Sequence, residues 1–181
     1  VDVDNACTAG LTEEMKTAAS CVANKITKLA LTPAYTKPSA TYRSEAYQNH
    51  LLNVWKKRLE IKNADLSNEE KQACAAVISD VNTHMANHGI DAQPSSKGSQ
   101  APHVLGRAID IPRAVADAMI AKVTGIAFVP SVPDCFACGM RVTSNVQDYI
   151  NSATDNPPAC NLRWGGMFTP YDPVHFQLPA N

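Results

Sequence analysis

His103-Val104-Leu105-Gly106-Arg107-Ala108-Ile109-Asp110-Ile111-Pro112 holds a histidine, a glycine and a carboxylate in one short segment. Gly106 allows a tight backbone turn between the two polar residues, and residues 107–111 then read as a short strand. Side chains alternate across a strand, so Ala108 and Asp110 share one face while Ile109 and Ile111 share the other. The isoleucines are expected to enter a core and leave Asp110 facing a cleft. Near the other end, Asp172-Pro173-Val174-His175-Phe176-Gln177-Leu178 follows the same logic. A turn leads into a strand whose His175 and Gln177 lie on one face, with Phe176 and Leu178 anchoring the other.

Outward from these strands the pattern turns helical. Leu11, Met15, Ala18, Val22, Ile26 and Leu29 recur at helical spacing, with Thr12 as N-cap. Residues 32–40 contain Pro33 and Pro38 and read as a loop. Ser44 is expected to cap a second helix to about residue 61, carrying Leu51, Leu52, Val54, Trp55 and Leu59. Ser67 and Glu70 form a capping box for a third helix. Its expected apolar face is Cys74, Val77, Ile78, Val81 and Met85, and Gly89 closes it. Residues 91–102 have loop composition. Pro112 suits the first turn of a helix to about residue 123, residues 125–140 read as loop, and residues 142–150 as a further helix broken by residues 156–158. Helices dominate the first half and short strands the second. The expected fold is therefore α+β, a small antiparallel sheet flanked by helices.

The chain has 181 residues, enough for one domain with or without an appendage. It carries 16 basic and 17 acidic residues with no block of like charge, so nucleic acid is not an expected partner. No apolar run approaches the roughly 18 residues that suggest a membrane span. The first residue is Val1 rather than Met, which suits a mature secreted form or a domain cut from a longer chain. The six cysteines, Cys7, Cys21, Cys74, Cys135, Cys138 and Cys160, form an even set that suits disulfides in an oxidising compartment. Cys135 and Cys138 make a C-x-x-C, but no second pair follows to complete a zinc site. Its flanks, Pro130, Pro133, Asp134 and Gly139, read as loop rather than as the strand-to-helix junction of a redox motif. Disulfide bonding is the expectation, without a choice of pairing.

Chemistry concentrates at the two strands. His103, Asp110 and His175 offer a borderline dication two imidazoles and a carboxylate, with a fourth position left open, as catalytic zinc requires. Asp172 lies three residues before His175 across a proline-containing turn and is the candidate general base.

H-x-x-G-x-A-x-D at 103–110, then Trp164-Gly165-Gly166, then D-x-x-H-F-Q at 172–177 resembles the zinc peptidoglycan peptidases. That group comprises D-alanyl-D-alanine carboxypeptidases, related dipeptidases and the L-alanyl-D-glutamate endopeptidases of phage lysins. Tyr42-Arg43-Ser44 with Tyr47-Gln48 is similar to the family's upstream segment. The resemblance spans about residues 40–179. It implies a catalytic domain over 41–181 and a helical extension packed on it over 1–40. It implies one zinc ion held by His103, Asp110 and His175, with Asp172 as general base and then acid, and Arg43 polarising the substrate carbonyl. Trp164 would line the cleft, and Tyr42, Ser44 and Gln48 would join it in substrate binding. Ala101 and Thr41 stand where the family usually has Ser and Gly. The implied substrate is the stem peptide of peptidoglycan, cut as by the endopeptidases. D,D-carboxypeptidase activity and an inactive wall-binding module are the alternatives. The implied location is periplasmic or extracellular, and a carrier, delivery or immunity partner is not readable from the sequence.

His84 and His88 lie four apart on the third expected helix, a spacing that puts two ligands on one face. Position 85 is Met, so the glutamate of H-E-x-x-H is missing. Both histidines are expected to serve structural roles, His88 meeting the dipole at the helix end. His50 stands isolated on the second helix and carries no functional expectation.

Overall fold

The computed structural model describes residues 8–32, 34–88, 90, 93–94, 97–125, 136–153, 159–168 and 171–180, with the main chain alone for 136–143. These residues form six helices and a three-stranded antiparallel sheet, an α+β fold. The helices are α1 (Glu13–Lys28), α2 (Glu45–Asn63), α3 (Asn68–Ala73), α4 (Ala75–Asn87), α5 (Arg113–Thr124) and α6 (Phe136–Asn151). The strands are β1 (Ala108–Asp110), β2 (Arg163–Trp164) and β3 (His175–Gln177), in sheet order β1-β3-β2. Two compact units divide the chain: Val1–Tyr42 with Leu105–Asn181, and Arg43–Val104.

The first unit holds the main core. Thr12 caps α1 by accepting from the Met15 N–H, which satisfies one of the donors a helix start leaves unpaired. The helix buries Met15, Ala18, Val22 and Ile26, as expected from their spacing, together with Ala19 and Ala23. They pack with Ile109 and Ile111, with Val115, Ala116, Met119 and Ile120 of α5, and with Val146 and Ile150 of α6. Each large aliphatic side chain taken fully out of water contributes about 1.5–3 kcal/mol. Lys25 is fully buried on α1. Its ammonium donates to the Ser152 carbonyl at 3.0 Å and lies 5.5 Å from the Tyr149 ring centre, so the charge is compensated.

Two long-range ties hold the segment leading into β2. Cys160 is disulfide-bonded to Cys21 of α1, 139 residues away. Asn151 of α6 both donates to and accepts from the main chain of Leu162, and Gln147 does the same for Leu162 and Trp164. The disulfide expectation therefore holds for this pair, whereas Cys74 is a free, exposed thiol. Cys7 and Cys135, and the side chain of Cys138, lie outside the described residues.

In the second unit, Ser44 caps α2 by accepting from the Tyr47 N–H. Ser67 and Glu70 form the reciprocal capping box at the start of α3. Two hydrogen bonds to Ser67, the backbone one first, hold the Glu70 carboxyl below its ordinary value. The third helix differs from expectation in two ways. It breaks at Cys74, whose backbone sits at φ −91° and ψ 4°. Its expected apolar face is also largely open: Cys74 and Val77 are exposed, Ile78 and Val81 half-buried, and Met85 alone is buried. The small core of this unit is Leu51, Met85 and Ile90, with Val54 and Trp55 packed beside it.

Candidate metal centre

The register of the sheet brings the ligand candidates together. β1 and β3 run antiparallel with Asp110 opposite His175, Ile109 opposite Phe176 and Ala108 opposite Gln177. Ile109 and Phe176 are fully buried, and strand alternation turns Asp110 and His175 to the other face. A one-residue slip would send the isoleucine and phenylalanine to that face and the ligands into the core. The main chain of Asp110 is also held from its far side. Its N–H donates to the Ala40 carbonyl at 2.8 Å, and its carbonyl accepts from Ser39 at 2.8 Å.

His103 lies in the turn between a short 3-10 segment (Gly98–Gln100) and β1. Its carbonyl accepts from the Arg43 N–H at 3.3 Å. Gly106, in the same turn, has φ +65°, and a Cβ there would collide with the Gly10 carbonyl and come within 3.1 Å of Leu11 Cα. Its glycine is thus required both for its conformation and for close approach.

His103, Asp110 and His175 are buried, and each offers a ligand atom within 4.8 Å of the others. The three could hold a metal ion. Asp110 Oδ1 and His175 Nδ1 are 2.9 Å apart. Ligands about 2.0–2.1 Å from a tetrahedral zinc sit roughly 3.3 Å from one another, so this pair is already near that separation. Two imidazoles and one carboxylate suit a borderline dication better than Mg2+ or Ca2+, which prefer all-oxygen shells.

The electrostatics define what surrounds the ligands. Burial pushes the His175 imidazole down, but the Asp110 hydrogen bond and charge, the Asp172 charge and the Gln177 hydrogen bond outweigh it and leave the group above its ordinary value. Gln177 Oε1 lies 3.1 Å from His175 Nε2 and can accept a hydrogen bond from its N–H, which turns Nδ1 toward Asp110. An outer partner of this kind fixes the orientation and tautomer of a metal-ligating histidine.

Trp164-Gly165-Gly166 builds the wall behind this turn. Trp164 is fully buried, and its indole N–H donates to the Pro173 carbonyl at 2.7 Å. The Gly165 carbonyl accepts from Phe168 and Asp172, both at 3.0 Å, and the Asp172 carbonyl accepts from the His175 N–H at 3.2 Å. A Cβ at Gly165 would collide with the Asp172 carbonyl and approach His175 Cβ to 2.9 Å, while one at Gly166 would strike the Trp164 ring. The two glycines let the tryptophan and the Asp172–His175 turn close on each other.

The remaining candidates divide by surroundings. Arg43 is half-buried at the entry to α2, and Tyr42 is 47% exposed. The Ser44 hydroxyl serves as the α2 cap, and Gln48 is buried on that helix. Two residues near His175 drew no functional expectation. Gln177 was visible through its shared strand face and as the last residue of the D-x-x-H-F-Q motif, without a role assigned to it. Phe168, whose ring centre is 5.9 Å from that of His175 and which Arg163 covers at 5.0 Å, gave no sequence signal. No family model, curated protein or solved structure matches the chain.

Proposed function

We propose that this chain is a zinc-dependent peptidase that cuts the stem peptide of peptidoglycan, at the L-alanyl-D-glutamate bond. The observation that carries the reading is the buried cluster of His103, Asp110 and His175, with Asp172 tied to the same histidine through its main chain. The resemblance of the surrounding motifs supplies the substrate class. Zinc bound by these residues would polarise a carbonyl and bring the acidity of water to near pH 7. Asp172 accepts the proton of the attacking water and returns it to the leaving amine. Its position is set by the hydrogen bonds that tie its main chain to Gly165 and His175. Arg43 supplies a cationic donor for the carbonyl oxygen as negative charge develops there. Trp164 contributes by packing behind the Asp172 turn, and exposed Tyr42 is available to a substrate. Mixed L and D centres explain why a dedicated enzyme serves this peptide. The Cys21–Cys160 bond suits a periplasmic or extracellular setting.

Digestion of purified cell wall, with the fragments weighed, tests the reading. New amino-terminal D-glutamate ends are expected. Release of terminal D-alanine alone would reassign the chain to the D,D-carboxypeptidases. Asp172→Ala is expected to abolish cleavage and retain zinc, and His103→Ala to lose both. A chain that binds no zinc and cleaves nothing after zinc is supplied would refute the proposal.

A further inference from the structure

A second cluster of ligand-competent side chains lies within residues 43–104. His50 of α2 meets His84 of α4 and His88 at the end of α4, and one ring nitrogen from each lies within 4.8 Å of the others. His50 Nε2 and His88 Nε2 face each other at 3.2 Å. Two nitrogens bound to one tetrahedral zinc sit roughly 3.3 Å apart, so this pair already has that spacing. His84 brings a buried Nδ1 that has no hydrogen-bond partner. Its other nitrogen, Nε2, lies 3.9 Å from Asp80 Oδ1. His88 is similarly oriented from behind, with Nδ1 2.9 Å from the Tyr47 hydroxyl. When Nδ1–H donates to Tyr47, the Nε2 lone pair points to His50, which is the outer-shell arrangement that metal-bound histidines show.

We propose that His50, His84 and His88 form a second metal site, binding a late first-row divalent cation such as Zn2+, Co2+ or Ni2+ and clipping α2 to α4. Three imidazoles without a carboxylate select these ions over Mg2+ and Ca2+. The cluster is partly exposed, which gives the ion an entry path and leaves a further coordination position to water. A clip has a physical purpose here. Among the described residues the apolar cluster here is small, Leu51, Met85 and Ile90 with Val54 and Trp55 beside it, and small cores are commonly reinforced by a metal or a disulfide. Because the open chain lacks the assembled site, binding free energy appears as folding stability.

Cobalt titration of the full chain, followed by its ligand-field absorption, compares the parent with His50→Ala/His88→Ala. The variant is expected to take up one equivalent fewer than the parent. That difference holds whether or not His103, Asp110 and His175 are loaded. Zinc is also expected to raise the parent's melting temperature, relative to chelator, by more than it raises the variant's. Equal stoichiometry in the two proteins would overturn the proposal. If the double variant loses its helical circular dichroism, imidazole nitrogen spectra of the parent decide. Shifts at His50, His84 and His88 on zinc addition support the site, and unchanged resonances overturn it.

Discussion

Replacing Gly165 with alanine tests whether the turn leaving the second strand positions the candidate metal ligands. The new Cβ would overlap the Asp172 carbonyl and come within 2.9 Å of His175 Cβ. Neither obstacle is the free end of a side chain, since one is backbone and the other the root of a ligand. Overpacking of this sort costs about 1–3 kcal/mol. The clash also acts against the Asp172 N–H to Gly165 carbonyl bond at 3.0 Å, worth about 1 kcal/mol more. The expected destabilisation is therefore about 2–4 kcal/mol, read as a lower urea midpoint at unchanged slope. Relief of the overlap requires the turn to retreat by about 1 Å, whereas metal–ligand distances tolerate only about 0.2 Å. Zinc affinity, measured by competition with a chromophoric chelator, is expected to fall about 10–100-fold, as when outer partners of a ligand are lost. Gly125→Ala is the control. Its φ is positive, at +70°, unlike that of Gly165, but its Cβ would meet nothing within 4 Å, so it should lose some stability and no zinc affinity. A Gly165→Ala protein with parental stability and zinc affinity would refute the positioning argument.

Gln177→Leu removes the acceptor at His175 Nε2 while keeping side-chain bulk; zinc affinity should fall about 10–100-fold, and an unchanged chelator competition curve would rule the residue out as an orienting partner. Reduction of Cys21–Cys160, or Cys21→Ser/Cys160→Ser, opens a long covalent loop and should cost about 2–5 kcal/mol in urea unfolding; equal midpoints with and without reductant would contradict this. Glu70 has a folded-state pKa below its unfolded value of 4.5. Its contribution to the α3 start is therefore complete above that value and lost as pH falls through the lower, folded one. The Ser67 amide resonance should move through that acidic window, and Glu70→Gln should remove the transition.

The legible parts of the fold were those encoded locally. Thr12, Ser44 and the Ser67–Glu70 pair mark helix starts with their own side chains, and the structure uses each as a cap. Alternation around Asp110 and His175 gave the buried and ligand-bearing faces of both strands, because a strand's side-chain period needs only a few residues to read. What escaped depends on partners distant in sequence. Nothing near Cys21 names Cys160 as its mate. The apolar residues from Cys74 to Val81 have helical spacing, yet only Met85 lies over the small core with Leu51, so periodicity overstated the buried face. His50 looked solitary because its neighbours, His84 and His88, arrive through the packing of a different helix. Trp164-Gly165-Gly166 was recognisable as a motif, but its physical reason is a steric one that only the closed turn reveals.

The bond between Cys21 and Cys160 has a consequence for how the molecule survives attack. It closes a covalent ring that includes His103 and Asp110, and His175 hangs from the ring on a short tail. A single cut anywhere from residue 22 to 159 opens the ring but cannot divide the molecule. Both fragments stay joined, and all three ligand residues remain on one particle. Such nicked protein should run as one band on a non-reducing gel and separate only when a thiol is added. In surroundings rich in proteases, backbone scission and loss of the site become separate events.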